Sequence, residues 1–83
     1  MSKQRVVIFT RPGCHLCEEA KVNIRAADCG GEYTLDERNI ESDPELLEKY
    51  RDDVPVILIN GVEAFRHRIT SEEFKQKLFS SLG

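Results

Sequence analysis

The chain has 83 residues, 40% of them hydrophobic and 33% charged, with a formal net charge of −3. That balance belongs to a folded soluble domain and excludes a disordered or membrane-embedded chain; the length supports one domain over residues 1–83 with a single core and no deep enclosed cavity. Net acidity and scattered Lys and Arg speak against nucleic acid as a partner, and the one basic run, Arg66-His67-Arg68, reads as the solvated side of an outer strand.

Met1 to Arg5 leads into only a few apolar residues before Arg11 and Pro12, far short of a signal peptide's apolar stretch or the ~20 residues of a membrane span. The expectation is a cytoplasmic protein with no membrane partner. Arg5-Val6-Val7-Ile8-Phe9-Thr10 is a continuous apolar, β-branched and aromatic run, which predicts a first strand buried on both faces. Arg11-Pro12-Gly13 breaks it. From Cys14 onward Cys17, Ala20, Ile24 and Ala27 recur at spacings of three and four, predicting a helix of about four turns that stops at Gly30-Gly31.

Tyr33, Leu35 and Ile40 mark a weak second strand whose charges suit a sheet edge. Ser42-Asp43-Pro44-Glu45 supplies a cap, a first-turn proline and an acidic residue for a helix carrying Leu46, Leu47 and Tyr50. Val54 to Ile59 is the next buried strand, and Asn60-Gly61 is a hairpin signal joining it to an antiparallel partner over Val62 to Ile69. Thr70-Ser71-Glu72-Glu73 reads as a capping box, followed by the stripe Phe74, Leu78 and Leu82 of a final helix. The order βαβαββα predicts an α/β fold with a four-stranded mixed sheet and helices on both faces.

Chemistry is concentrated at Cys14-His15-Leu16-Cys17, which follows a strand through a Pro-Gly turn and opens a helix. A free thiol with a pKa near 8.5 is only about 3% thiolate at neutral pH, whereas unpaired N–H groups at a helix N-terminus can lower that pKa by one to several units. Cys14 is thus the expected nucleophile. Cys17, three residues on and one turn inward, is placed to close a disulfide with Cys14 and resolve a mixed one. His15 beside the nucleophile favours the thiolate when protonated, while Glu18 and Glu19 work the other way.

A zinc site from Cys14, Cys17, Cys29 and His67 has the right ligand types but not the geometry. On one continuous helix Cys29 lies about 18 Å beyond Cys17, so no metal ligands and no Cys17–Cys29 disulfide are expected. Cys29 reads as incidental or partly buried near the helix end.

The segment Phe9-Thr10-Arg11-Pro12-Gly13-Cys14-His15-Leu16-Cys17, the stretch Ile40 to Leu47 with its Asp43-Pro44-Glu45, and Val54-Pro55 together resemble the glutaredoxins of the thioredoxin-fold superfamily over essentially the whole chain. The Cys-His-Leu-Cys motif is most similar to small glutaredoxin-like proteins long classed as a domain of unknown function. The resemblance implies a cis Pro55 facing the active disulfide and a Val54 backbone that pairs with substrate. It also implies an Arg11 that can hold a substrate carboxylate. With His15, these make Arg11, Val54 and Pro55 the candidate substrate-binding residues beside the catalytic Cys14 and Cys17.

The chain departs from that family at Asp53-Val54-Pro55, where glutaredoxins usually have Thr-Val-Pro, and at Arg66 to Thr70, where they have Gly-Gly and an acidic residue. Those elements hold glutathione. Their replacement removes backbone donors, and Asp53 adds a charge that repels an anionic tripeptide. The expected function is thiol-disulfide exchange on protein or small-molecule disulfides by a monomer with no bound cofactor, glutathione being one candidate reductant. Two other readings are a module binding metal or an iron–sulfur cluster between two chains through Cys14, and a redox-silent docking domain.

Overall fold

A computed structural model of the chain describes residues 3–28 and 30–80. Four strands form one mixed sheet in the order β2-β1-β3-β4, comprising β1 (Gln4–Thr10), β2 (Tyr33–Asn39), β3 (Val56–Ile59) and β4 (Val62–Arg66). β1 runs parallel to β2 and antiparallel to β3, and β3 is antiparallel to β4. Three helices complete the fold: α1 (His15–Ala26), α2 (Pro44–Tyr50) and α3 (Ser71–Ser80). The predicted element order and sheet class hold.

Side-chain alternation along the central strands divides the core in two. Val6, Ile8, Ile57 and Ile59 meet Ala20 and Ile24 of α1 and Phe74 and Leu78 of α3 on one face. On the other, Phe9 and Val56 pack with Ile40 and Tyr50, flanked by Leu46 and Leu47 of α2. Phe9 stacks on Tyr50 with ring centroids 5.1 Å apart, and Tyr33 meets Phe74 edge-on at 5.2 Å. Because β1 and β3 are covered on both sides, their residues read as uninterrupted apolar runs.

The helix starts obey the local signals. Asp43 accepts from the Glu45 N–H at 3.0 Å with Pro44 in the first turn of α2. Thr70 and Glu73 exchange side-chain and backbone bonds of 3.1 Å each, closing the capping box before α3. Among the described residues, no buried side-chain N or O lacks a partner. Gln4, buried at the start of β1, donates to the Leu78 carbonyl at 2.8 Å and accepts from Asn60 at 3.1 Å.

Several boundaries differ from those expected. α1 ends at Ala26, with Asp28 at φ 56°, so the chain leaves the helix before Gly30-Gly31. The expectations for Cys29 itself, and for Leu82 in the last apolar stripe, fall outside the described residues. Ile40 belongs to a short 3₁₀ turn, Ile40–Ser42, after β2. β3 begins at Val56, since Pro55 has no N–H to continue the ladder. β4 stops at Arg66 because His67 adopts φ 68°, which turns the chain out of the sheet.

Candidate functional site

Strand β1 delivers the chain to the site. Gly13 follows its end at φ 75°, a left-handed conformation that glycine adopts without steric cost, and the Cys14 N–H closes the turn on the Arg11 carbonyl at 3.2 Å. Cys14 is the N-cap of α1, in extended conformation, with its sulfur accepting from the Cys17 N–H at 3.2 Å. Cys14 and Cys17 are joined as a disulfide with Cα atoms 5.3 Å apart. The burial is asymmetric: Cys14 is partly exposed, whereas Cys17 is 2% exposed. An outside sulfur can reach Cys14, and Cys17 is reached through Cys14.

His15 is exposed at the first position of α1. The Val54-Pro55 bond is cis, as the resemblance implied, with Pro55 almost fully buried and Val54 partly buried against the Phe9–Tyr50 cluster. Phe9 is opposite Val56 in the β1–β3 ladder, so extending that register past the strand ends brings Arg11 alongside Val54. Arg11, Val54 and Pro55 thus lie at the same end of the sheet, and the turn that starts at Arg11 leads to Cys14, with Cys17 one turn along α1.

Arg11 is engaged within the protein. Its Nε and Nη2 donate to Glu41 at 3.2 Å each, and its Nη1 to the Arg51 carbonyl at 3.0 Å. It therefore ties the turn before Cys14 to the 3₁₀ turn and to the end of α2, and a substrate carboxylate would have to compete with Glu41.

Asp53 has partners that no local sequence pattern marks. Its carboxylate meets Arg66 Nη1 at 3.1 Å and His67 Nε2 at 3.3 Å, and the His67 N–H donates to the Pro55 carbonyl at 2.8 Å. Arg66 also chelates Glu63 at 2.9 and 3.0 Å and lies 5.9 Å from the Tyr50 ring centre. The bond to Glu63 raises the Arg66 pKa, and the same bond holds the Glu63 carboxyl below its usual range. Arg66 and His67 are thus exposed but paired, which corrects the picture of a merely solvated run, and the Asp53 charge is countered rather than bare. Their spacing in sequence carried no signal, because the contact depends on the β3–β4 register.

A groove of about 150 Å³ runs beside the motif, with Leu16 and Asn23 of α1 on one wall and His67, Arg68 and Thr70 on the other. Asn23 holds the walls together by donating to the Ile69 carbonyl at 2.8 Å. Deeper on α1, Lys21 bridges Glu37 of β2 at 2.8 Å and Glu18 at 3.2 Å. Among the described residues no group of three His, Cys, Asp or Glu side chains is placed to hold a metal ion, and no helix is long and apolar enough to cross a membrane.

A four-stranded mixed sheet flanked by helices on both faces, with an N-capping cysteine paired to a second one turn on and a cis-proline just before β3, defines a thioredoxin-fold protein. Solved structures agree. A protein of X. campestris superposes with a TM-score of 0.79 at 21% identity, over 90% of this chain and 96% of its own. Protein Ne2328 of Nitrosomonas europaea gives 0.76 at 26% identity, over 93% of each. Chloroplastic thioredoxin z gives 0.78 at 14% identity, over 98% of this chain and 80% of its own.

Within that fold the chain belongs to the glutaredoxin-like domain family (DUF836), whose family model matches residues 5–79. A curated relative in Dictyostelium discoideum, described as a glutaredoxin-like protein, YDR286C homolog, is 37% identical over 71 residues. The match covers 78% of this chain and 66% of that relative, which is the longer protein.

Proposed function

We propose that the protein is a thiol-disulfide oxidoreductase of the cytoplasm, acting as a monomer through Cys14 and Cys17. The observation that carries this reading is the asymmetry of the pair: a reachable sulfur at a helix N-cap and a buried one within bonding distance of it. In the reduced protein the Cys14 thiolate attacks one sulfur of a substrate disulfide. That S–S bond breaks, the first product leaves as a thiolate, and Cys14 is left in a mixed disulfide. The Cys17 thiolate then attacks the Cys14 sulfur and expels the second product. Two electrons have passed from the dithiol to the substrate, and the new Cys14–Cys17 disulfide is returned to the dithiol by an external thiol such as glutathione or by a protein dithiol. In this reading Val54 and Pro55 border the approach to Cys14, and a protonated His15 would favour its thiolate.

The test is turnover of a glutathione mixed disulfide coupled to glutathione reductase and NADPH, with Cys14→Ser as control. Turnover that depends on Cys14 supports the reading with glutathione as reductant. No turnover, with a pair still cycled by dithiothreitol, supports it with a protein reductant instead. A pair inert to both sinks it, and iron bound after anaerobic purification would favour the cluster-binding alternative.

A further inference from the structure

Asp53, the acidic residue before Val54, would by itself repel an anionic disulfide, and the structure sets the Arg66 guanidinium and the His67 ring against it. Asp53 is held by Arg66 and His67, and Arg66 in turn holds Glu63. Register places this cluster at the end of the sheet where β1 finishes and the chain turns toward Cys14. Val56 is opposite Arg66 in the β3–β4 ladder, the His67 N–H bonds to the Pro55 carbonyl one step further, and Phe9 is opposite Val56 on the other side of β3. Arg11, three residues before Cys14, therefore shares an edge with Val54, and His67 and Arg68 face Leu16 across the groove next to the motif. Because Asp53 directly precedes Val54, a molecule that pairs with the Val54 backbone while its sulfur meets Cys14 approaches through the field of this cluster, which physiological salt screens over about 8 Å.

We propose that Asp53 and Arg66 are the specificity-determining pair of this site: Arg66 cancels the Asp53 charge beside Val54, so that anionic disulfides are admitted. This rests on the oxidoreductase reading above. Removing the guanidinium leaves Asp53 and Glu63 both uncovered and makes the edge more anionic. Removing the Asp53 carboxylate leaves the Arg66 charge balanced by Glu63 alone and makes the edge less anionic. Because the charges stand on an exposed rim, the effect is on approach and binding rather than on the exchange chemistry.

The experiment is single-turnover reduction of two disulfides by the reduced protein: the mixed disulfide of glutathione and 2-mercaptoethanol, which is anionic, and cystamine, which is dicationic. Arg66→Gln is expected to slow the anionic substrate about fivefold at low salt and to speed cystamine. Asp53→Asn should shift the ratio of the two rates the other way. The Asp53→Asn/Arg66→Gln double variant should return toward the wild-type ratio, and roughly 0.5 M salt should erase the differences. Equal slowing of both substrates by Arg66→Gln, with faster exchange of the His67 amide, would show a purely structural clasp and overturn the proposal. An unchanged ratio in every variant would overturn it as well, while leaving the oxidoreductase reading intact. Absence of Cys14-dependent reduction in the wild-type protein would overturn that reading and this proposal together.

Discussion

The backbone N–H of Cys17 donates to the sulfur of Cys14 at 3.2 Å, so the buried member of the pair solvates the reachable one through its main chain. The same contact favours a negative charge on Cys14 once the disulfide is opened, in addition to the positive end of the α1 dipole. Iodoacetamide should alkylate Cys14 of the reduced protein well before Cys17 at neutral pH. Cys17→Ser keeps this N–H and removes only the resolving sulfur, so it should accumulate a mixed disulfide with substrate that mass spectrometry detects. Equal labelling of the two cysteines, or no trapped adduct, would contradict these roles.

Gly13 and Gly61 both adopt left-handed backbone conformations, at φ 75° and 84°, and neither has a neighbour that a methyl group would strike. Alanine at either position is therefore expected to cost about 1–2 kcal/mol from backbone strain alone. Only Gly13 adjoins the nucleophile. Urea unfolding should show similar losses for Gly13→Ala and Gly61→Ala, whereas iodoacetamide labelling of Cys14 should change in Gly13→Ala alone.

Lys21 joins α1 to the edge strand, and its side chain is 15% exposed. The hydrogen bond to Glu37 raises its pKa most, burial opposes that, and the bond to Glu18 adds to the rise. A lysine whose folded pKa exceeds its unfolded one stabilises fully below the unfolded value, and that stabilisation fades as pH climbs through the folded value. Lys21→Met should thus cost about 0.5–1 kcal/mol at pH 8, less in high salt, and the gap from wild type should narrow toward strongly alkaline pH. Urea titrations across that range check the sign.

Phe74 is completely buried where α3 meets the sheet and touches Tyr33 of β2 edge-on. Phe74→Ala should cost about 3–5 kcal/mol, a large share of the stability of so small a domain. Phe79 on the same helix is 44% exposed, and its replacement by Ala should cost much less. Comparable losses for the two would contradict the packing of α3.

Much of the fold is written locally. The runs Val6 to Phe9 and Val56 to Ile59, the cap at Asp43, the capping box at Thr70 and the turn at Asn60-Gly61 each depend on a handful of adjacent residues, and each appears where the pattern placed it. The end of α1 is not legible in this way: Ala27 continues the apolar stripe and is buried as the pattern implies, although the helix has already stopped at Ala26. Apolar spacing reports which residues face the core and is silent about the backbone conformation that brings them there.

By itself the sequence determined the order of elements and the chemical pair, because hydrophobic periodicity, turn residues and the strand-turn-Cys-x-x-Cys-helix arrangement are local signals. The surroundings of Asp53 were decided only by tertiary structure. A tight hairpin at Asn60-Gly61 would place Arg66 opposite Pro55, but the register shifts by one residue between Ile57 and Leu58, and Ala64 and its neighbour Phe65 both cover the same core cluster. That bulge places Arg66 opposite Val56, on the side of Tyr50 and Asp53. Alternation along a strand repeats every two residues, so an inserted residue changes which face every later side chain occupies. Whether one is inserted depends on how the sheet packs against α1 and α3, residues far away in the chain.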